Sequence, residues 1–265
     1  MNFVTAVKIE SSSNAVFKQT KKLLKRSERK KTGLFIIEGE RIVNDAVKKG
    51  ARVEYLVVSE FYGGSVPEGI KTYVLADRLF DELKETVNSQ GIAAVVNYTQ
   101  KKTDEINYEK DGCYLYLDCV ADPGNMGTII RSAEAFGADG IILSDGCVDV
   151  YNPKVIRSTM SALFDVDLYC GNAETIKKFL QNGFEIAGTF PTDAEYSYEC
   201  DYSDKCVIVM GNEANGICDK ISALCTKKVT IPMTKFTESL NVSVACGIML
   251  YERFIYGKRR GKKDE

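Results

Sequence analysis

Residues 120–143 read VADPGNMGTIIRSAEAFGADGIIL, a polar turn feeding a helix and then a strand. Met126, Ile129, Ile130, Ala133 and Gly137 recur at helical spacing and form a stripe for a core. Arg131 falls off that stripe, in the first turns, where it can point past the carboxyl edge of a sheet. Asn125 lies in the turn, and Gly124 and Gly127 permit close backbone approach around it. Taken alone, the segment reads equally well as a capped helix carrying an Arg131–Glu134 surface pair at i, i+3.

Working outward, the same alternation continues. A strand over Cys113–Leu117 precedes the helix Thr128–Phe136 and the strand Gly140–Leu143. Helices near Lys154–Met160 and over Ala173–Asn182 alternate with strands at Glu185–Phe190, Cys206–Met210 and Lys228–Ile231. A last helix runs from Ser239 to about Tyr256. Strands that are apolar throughout and separated by helices predict a parallel sheet covered on both faces. Upstream, 13–31 reads as one basic amphipathic helix, capped by Asn14 or a neighbouring serine, with Val16, Leu23 and Leu24 inward. Strands at Leu34–Ile37, Val53–Val58, Lys71–Leu75 and Ile92–Asn97, with helices Glu40–Lys49 and Arg78–Thr86, make a smaller α/β unit. The polar stretch TQKKTDEINYEKD, 99–111, reads as a linker, so the expected domains are 1–98 and 112–265.

The bulk charge, 35 basic against 37 acidic residues, hides an asymmetry. Lys18, Lys21, Lys22, Lys25, Arg26, Arg29, Lys30 and Lys31 cluster near the start, opposed by Glu28. Arg253, Lys258, Arg259, Arg260, Lys262 and Lys263 cluster near the end. Two such patches on an otherwise acidic chain favour a nucleic-acid partner over solvated faces. The absence of histidine removes Ser-His-Asp and Cys-His catalysis, and with no CxxC spacing it leaves no metal site of the common zinc types. Nine cysteines, an odd number, do not suggest a disulfide framework; Cys119 and Cys246 read as small core residues in a reducing compartment. No run has the make-up of a signal peptide or the length of a membrane span, so cytoplasm is the expected location.

Two further turns echo the first. Gly211-Asn212-Glu213-Ala214-Asn215-Gly216 follows the apolar strand Val207–Met210 and opens a helix, with Asn215 a candidate cap. A glycine-rich turn at a strand's carboxyl end is where open α/β sheets bind nucleotides, although this is neither GxGxxG nor a Walker loop. After Ile231-Pro232-Met233, the final helix opens with Ser239-Leu240-Asn241-Val242-Ser243. Ser239 could serve only as its cap. Ala245, Cys246 and Gly247 are small enough to admit another backbone. Spacing alone reaches a nucleotide-binding α/β domain.

In order, DPGNMGTIIRSAEAFG, VIVMGNEANGI and IPMTKFTESLNVSVA resemble the three signature motifs of the SpoU (TrmH) branch of the SPOUT RNA methyltransferases. NAVFKQTKKLLKRSERKKTGLFIIEGERIV resembles the substrate-binding domain that accompanies them, an α/β sandwich related to RNA-binding ribosomal proteins. The resemblance implies a trefoil knot in the C-terminal domain, S-adenosylmethionine as cofactor, and a homodimer formed through the final helix. It carries cofactor contacts onto Gly211, Ile231 and Leu240, with Met210, Met233 and Thr189 nearby. Ser132 and Ser161 stand where the family often has threonine and glycine.

The implied reaction moves a methyl group to a ribose 2′-hydroxyl of RNA, ribosomal rather than transfer RNA, with transfer RNA as the alternative substrate. Arg131 would bind the adjacent phosphate and stabilise charge on the 2′-oxygen, since a guanidinium keeps its proton. Asn125, Glu213, Ser239 and Asn241 would orient Arg131 and the ribose. Lys18, Lys21, Lys22, Lys25, Arg26, Arg29 and Lys30 would grip the RNA backbone. A dinucleotide oxidoreductase would want a glycine pattern that DPGNMG lacks. A non-catalytic RNA-binding module is the other alternative, against which Arg131, Glu213 and Asn241 together speak.

Overall fold

Seven parallel strands carry the second half of the chain, in the spatial order Glu195–Tyr196, Lys227–Thr230, Glu185–Thr189, Lys205–Met210, Gly112–Leu117, Gly140–Leu143 and Leu168–Cys170. In chain order they are β6 (Gly112–Leu117), β7 (Gly140–Leu143), β8 (Leu168–Cys170), β9 (Glu185–Thr189), β10 (Glu195–Tyr196), β11 (Lys205–Met210) and β12 (Lys227–Thr230). The computed structural model describes residues 7–84, 88–237 and 239–261. Every residue of β6 and β7 is buried, as the continuous apolar runs require of a sheet covered on both sides. Tyr114, Tyr116, Phe179, Phe184, Ile186 and Val207 form much of one core face.

The sheet belongs to one of two compact units, comprising 100–148 and 165–265. Its order reverses beside β6: the chain passes from β6 to β7 and β8 on one side, whereas β11 and β9 lie on the other. Such a switch point opens a crevice at the carboxyl ends of the strands. The segment 99–111 does not behave as a free linker. Ile106 is buried, Tyr108 packs edge-on against Phe179 at 4.9 Å, and Lys101 bridges to Tyr169.

The other unit comprises 1–99 together with 149–164. Its sheet has the order β1-β4-β3-β5-β2, formed by β1 (Val7–Ile9), β2 (Leu34–Glu38), β3 (Val53–Ser59), β4 (Thr72–Leu75) and β5 (Ile92–Asn97). This sheet is mixed: β2 and β3 run antiparallel to β5, and β1 and β3 parallel to β4. Residues 149–164, which fall inside the expected 112–265 domain, are held here by Tyr151. Its ring lies 4.6 Å from that of Phe35 and stacks on Tyr98 at 3.9 Å, and its hydroxyl accepts the Thr99 N–H.

The expected single helix over 13–31 is two, α1 (Ala15–Lys22) and α2 (Arg26–Thr32). Asn14 caps the first, accepting from Val16 and Phe17 N–H. The break has a chemical cause. Arg29 turns inward and its Nη1 donates to the carbonyls of Leu23 and Leu24, at 2.9 and 2.8 Å, which a continuous helix would use itself. Next come α3 (Glu40–Lys48), stopped near Gly50 at φ 74°, and α4 (Asp77–Phe80). The latter is shorter than the expected Arg78–Thr86, whose last two residues lie outside the described ones.

The remaining helices are α5 (Pro123–Ala135), α6 (Pro153–Thr159), α7 (Ala173–Gln181), α8 (Asp219–Ser222) and α9 (Val242–Gly261). The small residues of α9 do admit another backbone, that of α5: Cys246 is fully buried and a Cβ on Gly247 would meet Ser132 Oγ at 3.6 Å. Cys119, by contrast, is not a core residue; it is half-buried at φ 59°. All nine cysteines are free thiols. Among the described residues no helix is long and apolar enough to cross a membrane, and no His, Cys, Asp or Glu cluster is placed to hold a metal.

Candidate active site

The DPGN turn is the first turn of α5. Asp122 caps it, its Oδ1 accepting the Asn125 N–H at 2.8 Å, and Pro123 occupies the position where a missing N–H costs nothing. Asn125 therefore has a fixed backbone and a side chain aimed out of the helix. On the neighbouring strand, β11 ends at Met210 and the chain folds back, Asn212 and Gly216 exchanging backbone hydrogen bonds of 2.9 Å. Gly211 must be glycine, because a Cβ there would lie 2.2 Å from the Gly216 carbonyl carbon. The helix expected to open at Asn215 begins only at Asp219.

Asn212 pins this turn to the first motif. Its Nδ2 donates to the Cys119 carbonyl at 2.8 Å, and its Oδ1 accepts from Ala214 and Asn215 N–H. Sequence reasoning missed Asn212 and Asp122; an asparagine in a Gly-Asn-Glu-Ala-Asn-Gly turn, placed to accept from the N–H two residues on, is an Asx-turn signal that could have found the first.

A chain of hydrogen bonds then links all three motifs. Glu213 Oε1 accepts from Asn125 Nδ2 at 3.0 Å, while the Ala121 and Asp122 N–H groups also donate to the carboxylate. Asn125 Oδ1 accepts from Asn241 Nδ2 at 2.9 Å. Asn241 Oδ1 in turn accepts from Ser243 N–H and Oγ and from Val244 N–H, so Asn241, not Ser239, caps α9. Both ends of the chain dictate its direction. A carboxylate only accepts and helix N–H groups only donate, which fixes the orientation of both amides.

Burial acts to raise the pKa of Glu213, but hydrogen bonds from Asn125 and from the N–H groups of Glu213, Asp122 and Ala121 outweigh it and hold the carboxyl below its ordinary 4.5. The acceptor at the end of the chain is thus ionised at neutral pH.

A cleft of about 600 Å³ opens at the carboxyl ends of β9, β11 and β12. All six residues expected at the cofactor line it: Thr189, Met210, Gly211, Ile231, Met233 and Leu240. Glu213, Ser239 and Asn241 line it too, whereas Asn125 and Arg131 do not. Thr189 turns its hydroxyl to the Val209 carbonyl at 2.9 Å rather than into the cleft. Ser239 is exposed and makes no hydrogen bond among the described residues. Arg131 is exposed on α5 and pairs with nothing among the described residues; the Arg131–Glu134 pair does not form.

The basic cluster needs one correction. Arg29 is 3% exposed and bound to Asp149, with Nη2 at 2.6 Å and Nε at 3.1 Å from the same carboxylate oxygen, so it cannot face a polyanion. Lys18, Lys22, Lys25, Arg26 and Lys30 are exposed without ion pairs among the described residues, and Lys21 pairs with Glu82. At the other end Arg253 donates to the Asp204 carbonyl and Arg260 pairs with its carboxylate at 3.5 Å, which blunts that patch. Lys262 and Lys263 lie outside the described residues.

Residues 112–251 match the SpoU rRNA Methylase family. The chain belongs to that family. Residues 14–94 match the MRM3-like substrate binding domain. Among relatives, the 23S rRNA (guanosine(2553)-2′-O)-methyltransferase RlmP of Bacillus subtilis (strain 168) is 32% identical over 246 residues, covering 92% of this chain and 97% of its own. The AdoMet-bound rRNA methyltransferase from Sinorhizobium meliloti superposes with a TM-score of 0.84 at 26% identity, covering 94% of this chain and 97% of that one. The SpoU methyltransferase AviRb from Streptomyces viridochromogenes, in complex with AdoMet, gives 0.80 at 28% identity, over 91% of this chain and 97% of that one.

Proposed function

We propose that this chain is an S-adenosylmethionine-dependent methyltransferase acting on a ribose 2′-hydroxyl of 23S ribosomal RNA. The observation that carries the reading is the Glu213–Asn125–Asn241 chain of hydrogen bonds, which gathers the three motifs at one edge of the cleft. The names of similar proteins, RlmP and the AdoMet-bound enzymes among them, support the substrate and cofactor.

The cleft fits S-adenosylmethionine on structural grounds. It sits at the carboxyl ends of parallel strands beside the switch point, has a volume within the usual range of roughly 300–1,000 Å³ for small-molecule sites, and is flanked by the tight Gly211 turn. Bound there, the cofactor would supply an activated methyl group on a sulfonium sulfur. Met210, Ile231 and Leu240 offer it apolar wall, and Gly211 offers bare backbone.

The protein's own work is placement and electrostatics. Ionised Glu213 sets Asn125, and Asn125 sets Asn241, so hydrogen-bonding groups are preorganised beside the cleft. Ser239, exposed there and without a hydrogen bond among the described residues, can meet the ribose. As the O–CH3 bond forms and the sulfur–methyl bond breaks, the 2′-hydroxyl proton leaves to solvent, while Arg131, which keeps its own proton, stabilises the negative charge developing on the 2′-oxygen and holds the neighbouring phosphate.

Arg131 does not line its own chain's cleft, and this supports a homodimer in which each cleft is completed by the partner's arginine. Val244 and Tyr251 on α9 are 51% and 48% exposed, and Tyr251 packs against Phe136 of α5's end, so the apolar face lies on the helix pair that carries Arg131. The family's knot and a cytoplasmic site of action complete the reading. Lys18, Lys21, Lys22, Lys25, Arg26 and Lys30 grip the RNA backbone.

The test is methyl transfer from labelled S-adenosylmethionine to an unmodified 23S rRNA transcript, with ribose methylation mapped by resistance to alkaline cleavage. A single resistant linkage is expected. Transfer to transfer RNA alone, or to a base, overturns the substrate assignment.

A further inference from the structure

In the unit formed by 1–99 and 149–164, β2, α3 and α6 enclose a second cavity, of about 310 Å³. It shares no lining residue with the cofactor cleft. Ile36, Ile42 and Ile156 give it an apolar floor, and Met160, 50% exposed, forms a lip. Arg41 and Arg157 stand at its rim against the one carboxylate of Glu38. Arg157 is exposed without an ion pair among the described residues, and Arg41 reaches Asp45 only at 3.8 Å, with its side chain 75% exposed.

The lip is built at a conformational cost. Met160 and Ser161 stand at φ 51° and 79°, consecutive left-handed positions that disfavour any residue with a Cβ. Ser161 is buried and its Oγ donates to Asp45 Oδ2 at 2.8 Å, which holds the reversal. That reversal ends α6 and turns Met160 outward. Residues held in such conformations cluster at ligand clamps and active sites.

We infer that this cavity takes one unstacked nucleotide of the RNA substrate, with its base against the isoleucine floor and Met160 and its phosphates on Arg41 and Arg157. The inference rests on the reading of the chain as an RNA methyltransferase. The volume suits a single small ligand and excludes a duplex. Flat apolar walls and a polarisable thioether accept the π-face of any base. Guanidinium forks match phosphate oxygens, and of the two at the rim Arg157 carries no ion pair among the described residues while Arg41 is held only loosely by Asp45. Leu24 also lines the cavity, immediately before Lys25 and Arg26, so the exposed basic face of α1 and α2 runs into this rim. Single-stranded segments with splayed bases are how RNA is commonly read by sequence-sensitive proteins.

The test uses the full chain and an unmodified 23S rRNA transcript carrying 4-thiouridine. On long-wave irradiation, crosslinks are expected on the peptide containing Ile156–Met160. In an Arg41→Ala/Arg157→Ala variant, KM for the transcript should rise about tenfold, and the slope of log KM against log salt should fall by about one per lost phosphate contact. Its kcat at saturating RNA and its calorimetric affinity for S-adenosylmethionine should be unchanged. Unaltered KM and salt slope in that variant, with no crosslink on this peptide, overturn the inference while leaving the enzyme assignment intact. Absence of methyl transfer by the wild-type chain would instead strike the enzyme assignment. Saturable binding of free 5′-mononucleotides that the variant loses, without any change in KM for RNA, makes this a free-nucleotide site and also overturns the inference.

Discussion

Asn241 donates through Nδ2 to Oδ1 of Asn125, 2.9 Å away and 116 residues earlier in the chain. The same Asn241 caps α9 with its Oδ1, so the helix that closes the fold and the residue that orders the first motif share one amide. Capping of α9 and placement of Asn125 therefore draw on the same side chain.

Asn125→Asp tests this coupling. The substitution removes the donor facing Glu213 and sets two carboxylates together, which cost each other their place. Methylation should fall roughly 100-fold, the scale of a small misplacement at a reacting centre. Because Asn125 does not line the cleft, calorimetric affinity for S-adenosylmethionine should hold. Full activity in this variant would show that the hydrogen-bond chain has no part in the reaction.

Glu213 gives a pH-dependent counterpart. Its folded pKa is lowered below 4.5, so its contribution to stability is complete above that value and is lost as pH falls through the folded pKa. The stability gap between wild type and Glu213→Gln should be constant from pH 6 to 8 and shrink below about pH 4.5. The glutamine retains an acceptor for Asn125, so Glu213→Ala should lose more activity than Glu213→Gln. Urea unfolding across pH and a methylation assay check both statements.

Arg131→Ala should abolish methylation and spare cofactor binding, since the wall and backbone offered to the cofactor come from Met210, Gly211, Ile231 and Leu240. Arg131→Lys should recover little, because an ammonium lacks the planar fork. Mixing Arg131→Ala protomers with Asn241→Ala protomers should restore activity, for one composite site of each mixed dimer is then intact. No restoration in a mixed dimer verified by mass would mean that the arginine serves its own chain.

Much of this was legible in the residues, and the failures have physical causes. The three motifs and the long apolar strands stand in the sequence, and the six residues expected at the cofactor meet in one cleft. The start of α5 was misread because Pro and two glycines look like a turn, although Asp122 followed by Pro123 is itself a helix-start pattern. β1, β8 and β10 span two or three residues, too few to show a period. Arg29 sits in a run of lysines and arginines with nothing local to mark it as buried; its partner Asp149 is 120 residues away. The same distance hid the membership of 149–164 in the first unit, since a short helix does not declare which core it will join.

The basic face makes a graded prediction. Charge reversal at Lys22, Lys25 and Arg26, which are exposed without ion pairs among the described residues, should weaken binding of the 23S transcript and flatten its salt dependence by about one unit of slope per lost phosphate contact. Reversal at Lys21 also breaks its pair with Glu82, so its effect should include a small loss of stability that the others lack. Filter binding over a salt series, with thermal melts alongside, separates the two. Equal salt slopes in wild type and the triple variant would remove this face from the RNA interface.

Arg29 and Asp149 are a different kind of charge pair. Their side chains are 4% and 11% exposed, and the guanidinium also satisfies the Leu23 and Leu24 carbonyls. Removing one partner of a buried pair strands the other, at a cost of roughly 3–5 kcal/mol. Asp149→Ala should therefore lower Tm by on the order of 10 °C in a chain of this size. Glu174→Ala, which breaks the exposed pair with Lys177, should shift it by about 2 °C or less. The double variant Arg29→Met/Asp149→Leu should regain part of the loss, because no unpaired charge remains while the two carbonyls still lack donors. Differential scanning calorimetry reads all three. An Asp149→Ala shift no larger than that of Glu174→Ala would mean that the pair does not hold 149–164 in place.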